Sequence, residues 1–136
     1  MTPAERHIPD VAASRRPPGA PAVLRGVFLT DVSSRIRGLI ARPPGWLAAD
    51  EVVVLVPCAS IHTFFMRVAI DVAFLDARGR VLRSVEALPP ARLLSCSRAS
   101  FVIERPTSSV CFAESARPLW PAVGETLAFA PVRGPT

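Results

Sequence analysis

The sequence predicts a mainly β domain, a sandwich or flattened barrel of six or seven short strands with one or two brief helices. Three observations lead there. Short runs rich in β-branched and aromatic residues recur along the chain, Glu51 to Val56 (EVVVLV) and Ile70 to Leu75 (IDVAFL) being the clearest. Proline, glycine and aspartate gather between the runs, where they break or turn the backbone. Helical periodicity is confined to two brief stretches, after Asp31 and after Ser108. Many short strands with little helix pack as two layers or as a curled sheet.

The 136 residues suffice for one domain, since domains typically hold about 100–150. Residues 1–21 contain five prolines, scattered charges and no apolar period, and read as a disordered arm. The domain is expected over residues 22–130, with 131–136 as a flexible tail. Ala22 to Thr30 is the first strand, with Gly26 at a bulge. Asp31 or Ser33 caps a short helix whose Ile36, Leu39 and Ile40 share a face, and Pro43, Pro44 and Gly45 stop it. Glu51 to Val56 has the composition of a central strand buried on both faces, and Pro57 breaks its ladder.

Ile61 to Met66 and Ile70 to Leu75 are the next strands. Asp76-Ala77-Arg78-Gly79 turns the chain into Val81 to Val85, a hairpin. After the interruption at Pro89 and Pro90 come a short strand, Phe101 to Glu104, and a helical stretch, Ser108 to Ala116. Glu125 to Phe129 alternates and closes the sheet. Trp46 and Trp120, each beside Pro or Gly, are expected as lids at the rim of the core.

Composition bounds the function. All sixteen basic residues are arginine and the net charge is +5, the signature of a GC-rich coding sequence more than of a partner. The arginines are spread out, without a stripe or interleaved stacking aromatics, so nucleic-acid binding is not expected. The longest apolar run, Val52 to Ala59, falls far short of the ~20 residues that span a bilayer. The first residues lack the apolar core of an export signal, and a cytoplasmic monomer is the expectation. Cys58, Cys96 and Cys111 are odd in number and sparse, so they read as buried free thiols.

Arg37-Gly38-Leu39, Ile61-His62-Thr63, Met66-Arg67, Ile70-Asp71-Val72, Phe74-Leu75-Asp76 and Gly79 together resemble a small bacterial and archaeal family, domain of unknown function 192. Pro90 with Arg92, Val102-Ile103-Glu104, and Val123-Gly124-Glu125 before Leu127 extend the resemblance from about Val23 to Phe129. It implies a compact, jelly-roll-like, mainly β fold and no established reaction. The chain departs from the family pattern at Arg105-Pro106-Thr107-Ser108, where Leu-Pro and a small-Gly pair are usual, and at Ile40, where methionine is common.

The polar residues of Ile61 to Val81 interrupt an otherwise apolar stretch, where unpaired polar groups are costly. The leading expectation is a non-enzymatic binding or accessory domain with a small site at His62, Met66, Arg67 and Asp71. Arg67 offers a planar, two-pronged donor to a carboxylate or phosphate and Asp71 orients it; Arg37 joins them if its helix crosses the mouth of the sheet. The ligand is then a small anion or a carboxylate-bearing partner segment, and no cofactor is expected. A hydrolase-like or transferase-like enzyme is the alternative, with Cys58 as nucleophile, His62 as base and Asp71 as orienting group, although no nucleophile-elbow motif is present. Cys58, His62 and Cys96 form a third option, a soft site for copper or zinc. Four residues of strand separate Cα atoms by about 13 Å, so Cys58 and His62 share an ion only if the backbone bends.

Overall fold

The computed structural model describes residues 21–40, 42, 43, 45–107 and 118–133. The expected arm, apart from Pro21, the helical stretch Ser108 to Ala116, Pro44 and Cys111 lie outside the described residues. Within them the chain is mainly β. Eight strands run as β1 (Ala22–Leu29), β2 (Glu51–Leu55), β3 (Ser60–His62), β4 (Ile70–Leu75), β5 (Val81–Leu88), β6 (Leu93–Ser95), β7 (Phe101–Pro106) and β8 (Leu127–Arg133). One helix, α1 (Val32–Arg37), follows β1. No helix among the described residues is long and apolar enough to cross a membrane.

Six strands form one mixed sheet in the order β5-β4-β7-β2-β1-β8, while β3 and β6 pair as a small second sheet. β1 is parallel to both β2 and β8, and the other pairs are antiparallel. The large sheet is open, but its two edge strands meet at one corner. Arg80, just before β5, bridges Thr126, just before β8, and Leu127 N–H donates to the Gly79 carbonyl at 2.8 Å. Gly79 has φ +87, and a side chain there would collide with the Leu127 carbonyl, so the turn read from Asp76 to Gly79 also seats the far edge of the sheet.

Alternation along the strands splits the core in two. Val27, Leu29, Val53, Leu55, Val72, Phe74 and Val102 build one face, covered by Leu39, Ile61, Met66, Leu94 and the partly buried Trp46. Val52, Val54, Ala73, Leu75, Val81 and Ile103 build the other, covered by Trp120 and Leu127. β2 is buried at every position, as the apolar run Val52 to Leu55 requires of a strand held between β1 and β7, and the buried Glu51 at its start accepts from Ala48 N–H.

Several boundaries differ from the sequence expectation. β3 stops at His62 instead of reaching Met66, because Thr63 turns the chain: its carbonyl accepts from Met66 N–H at 3.2 Å and Ala91 N–H at 3.0 Å. β6, only three residues long and set between proline and serine, has too little sequence to show a period. β8 continues through Pro131 to Arg133, into the stretch expected to be a tail. A proline is tolerated there because β8 is an edge strand with one neighbour. Gly26 does mark an irregularity, the register with β8 shifting between Gly26 and Val27.

Candidate functional site

A cavity of about 320 Å³ lies between α1, the β2–β3 connection, β3 and the first face of the large sheet. Its roof begins at Asp31, which caps α1 by accepting from Ser34 N–H at 3.1 Å. The Ser33 hydroxyl, followed by Ser34, holds the Asp31 carboxyl down at about 2. The helix ends at Gly38, whose N–H donates to the Ser34 carbonyl with φ +48. Arg35 Nη1 donates to the Pro57 carbonyl at 2.7 Å, which ties the roof to the side wall. Arg37 is exposed at the solvent side of the lining.

The opposite wall is β3. Thr63, fully buried, locks its end: Oγ1 donates to the Pro89 carbonyl and accepts from Arg92 N–H, each at 2.8 Å. That anchoring fixes His62, which lies opposite Leu93 in the small sheet and stacks on Phe64 with ring centroids 5.4 Å apart. The Nδ1 atom of His62 is buried with no hydrogen-bond partner among the described residues. Met66 and Cys58 complete this side. The Cys58 thiol donates to the Ser60 carbonyl at 3.1 Å. Burial pushes that thiol up, with the nearby Glu104 charge adding to the effect, so it is held in its neutral form.

Glu104 forms the floor. It sits on β7, opposite Val53 on β2 and Val72 on β4, on the apolar face of the sheet. The residue is 4% exposed. Burial pushes its carboxyl from an ordinary 4.5 up to about 7, and no hydrogen bond or cation among the described residues offsets that burial. An ideal Cβ at Gly38 would stand 3.2 Å from Glu104 Oε1, so the absence of a side chain at the end of α1 leaves room above the carboxyl.

The cavity thus brings together Arg37, Cys58, His62 and Met66 from the sequence candidates and adds Arg35 and Glu104. It does not gather Arg67 or Asp71. Arg67 is exposed on the turn after β3. Asp71 is buried, but alternation turns it away from Ile70 and Val72 to the opposite face of β4. There it meets its cross-strand neighbour Arg105, whose Nε donates to Asp71 Oδ2 at 2.9 Å. The Thr107 hydroxyl and Ala87 N–H donate to Oδ1 at 2.8 and 3.0 Å. Arg105 also donates to the Pro118 carbonyl at 2.7 Å and lies over the Trp120 ring at 4.8 Å. The pairing of Asp71 with Arg67 is therefore corrected: the hydrogen bonds of Asp71 go to Arg105, Thr107 and Ala87, and it does not line the cavity. Cys96 packs against the first-face core outside the cavity lining. No group of three His, Cys, Asp or Glu residues close enough to hold a metal ion occurs among the described residues.

The segments whose residues carry the family resemblance converge on this cavity: Arg37-Gly38-Leu39 in the roof, Ile61-His62 and Met66 in the wall, Ile70 and Glu104 below. The model of the domain of unknown function 192 family, described as "Uncharacterized ACR", matches residues 27–111. The chain belongs to this family. No curated protein matches the chain. Two solved structures share the domain of unknown function 192 chain's fold at 18% sequence identity and a TM-score of 0.53. One is a protein of unknown function from Novosphingobium aromaticivorans DSM 12444, with 61% of this chain aligned to 63% of that one. The other, described as a "putative transcription regulator", comes from Sinorhizobium meliloti 1021, with 61% of this chain aligned to 68% of it. Arg105 and Thr107 supply two of the three groups that hold Asp71.

Glu104 was absent from the sequence candidates. Its signal was the parity of Phe101 to Arg105: Val102 and Glu104 share one face and Ile103 and Arg105 the other, so a β7 packed on both sides places Glu104 on one apolar layer and Arg105 on the other.

Proposed function

We propose that this domain is a non-enzymatic binding module that holds a small ligand between α1 and β3, with an anionic group of the ligand directed to Arg35 and Arg37. The observation that carries this reading is a hollow of ligand size whose lining runs from the exposed Arg37 to the buried Glu104, whose carboxyl has no partner among the described residues. Arginine presents a fork of donors suited to carboxylate and phosphate oxygens. Met66, Leu39 and Ile70 supply apolar contact, and His62 adds a ring whose Nδ1 has no partner among the described residues.

The state of Cys58 supports binding over chemistry. A nucleophilic thiol needs a lowered pKa or an adjacent base, whereas burial pushes the Cys58 thiol up and it is bonded to a backbone carbonyl. Asp71, the expected orienting group, is committed to Arg105 and Thr107. The test is thermal unfolding with short carboxylates and phosphate monoesters. A ligand of this class at a hundred times its Kd should stabilise the protein by about 2.7 kcal/mol, and Arg37→Ala should weaken that response while the fold survives. A complete absence of stabilisation across both classes counts against the reading.

A further inference from the structure

Glu104 is the one buried acid that the fold itself leaves without a partner among the described residues. Glu51, equally buried, accepts from Ala48 N–H at 2.9 Å and lies 3.7 Å from Arg25. Asp71 has its three donors. Glu104 has none, although it stands at the centre of a six-stranded sheet with valines opposite it on both neighbouring strands. Such a placement is costly for an ionised carboxyl unless something answers it.

The surroundings limit what can answer. From α1, Arg35 and Arg37 line the cavity, but Arg35 donates to the Asp31 and Pro57 carbonyls and Arg37 Nε to the Ile40 carbonyl. From the β2–β3 connection comes the neutral thiol of Cys58, and from β3 the imidazole of His62. β2 and β4 offer only Val53 and Val72 at this register. The cavity itself is the remaining direction of approach, and the missing side chain at Gly38 keeps it open above Oε1. An anionic ligand group placed there would meet a like charge. A cationic nitrogen would form a charge-assisted hydrogen bond in a poorly solvated site, among the stronger polar contacts available to a small ligand.

We propose that the ligand is zwitterionic: a primary ammonium group binds Glu104 at the floor, while a carboxylate or phosphate on the same molecule faces Arg35 and Arg37. This rests on the binding reading above and specifies its substrate class as small amino acids or aminoalkyl phosphates. Ammonium binding requires the carboxylate form of Glu104. In the unliganded protein burial pushes that carboxyl to about 7, so protons compete with the ligand below that pH. Affinity then falls as the pH drops from 7, and each binding event at pH 6 releases close to one proton, against almost none at pH 8.

Calorimetry on the full chain can decide this with glycine, β-alanine, 4-aminobutyrate and 5-aminopentanoate set against acetate, propanoate, butanoate and pentanoate, and with 2-aminoethyl phosphate against ethyl phosphate. The expected result at pH 8 is a preference of about ten- to a hundredfold for at least one amino compound over its nitrogen-free counterpart. Buffers of different ionisation enthalpy should show the proton released at pH 6. Glu104→Gln should abolish both the preference and the proton release. Equal binding of the paired compounds, or a preference that survives Glu104→Gln, overturns the ammonium assignment and leaves the anion-binding reading standing. If no compound binds in either series, both fall. The paired comparison is made in the unaltered protein, so it does not depend on how the variant folds.

Discussion

Replacing Glu104 by glutamine should make the protein more resistant to unfolding at high pH and change it little at low pH. The side chain keeps its shape, and only the ability to ionise is removed. In the folded protein burial raises the carboxyl from 4.5 to about 7. The unfolded chain therefore sheds its proton first, and stability falls with rising pH. The contribution is fully present below about 4.5, declines through the interval to about 7, and is lost above it. At about 1.4 kcal/mol for each tenfold change in proton affinity, the loss comes to about 3 kcal/mol. With a urea dependence of roughly 1–3 kcal/mol per molar, the midpoint of the native protein should drop by about 1–3 M relative to the variant between pH 4 and pH 8. Urea unfolding at half-unit pH intervals, native protein beside Glu104→Gln, measures this directly, because every other titrating group cancels in the difference. Two curves that stay parallel across the range would refute the reasoning, since the carboxyl would then have a partner or reach water.

The Asp71–Arg105 clasp gives a second expectation. Asp71→Ala should cost about 3–5 kcal/mol in urea unfolding, as removal of one partner of a buried pair does, while Asp71→Leu combined with Arg105→Leu should recover much of it. Gly38→Ala places a methyl group 3.2 Å from Glu104 Oε1 at φ +48; a loss of about 1–3 kcal/mol is expected from the backbone strain, read as a lower melting temperature. Because burial pushes the Cys58 thiol up, its alkylation by iodoacetamide at pH 8, followed by peptide mass spectrometry, should be slower than that of a free cysteine-containing peptide of the same local sequence. Faster alkylation would return Cys58 to the list of nucleophiles.

The strands were the most legible part of the sequence, and the reasons are local. Glu51 to Leu55 has no polar interior position, and Ile70 to Leu75 ends in a turn whose aspartate and glycine have few other uses. Asp76 accepts from the Arg78 and Arg80 amides at 2.9 and 3.0 Å, as turn chemistry predicts. The candidate site was legible only where one segment carries its own geometry, as at His62 and Met66. Asp71 illustrates the limit. Its partner is set by the register between β4 and β7, which places residue 105 beside residue 71 across 34 positions of chain. No local pattern contains that register. Glu104 was lost for the complementary reason: strand parity gives two faces but not which of them lies under a helix. The order of strands in the sheet, with β7 between β4 and β2, was equally invisible, because it depends on which edges remain free when each strand arrives.

β1 lies between β2 and β8, and Ala22 pairs with Leu127 in parallel. β1 therefore keeps one backbone edge unsatisfied until β8, at the far end of the described residues, docks against it. Contacts of such separation are slow to close, and an open edge is a template for other chains. The exposed interval for this protein is consequently the one in which β1 has docked on β2 and β8 has not yet joined it.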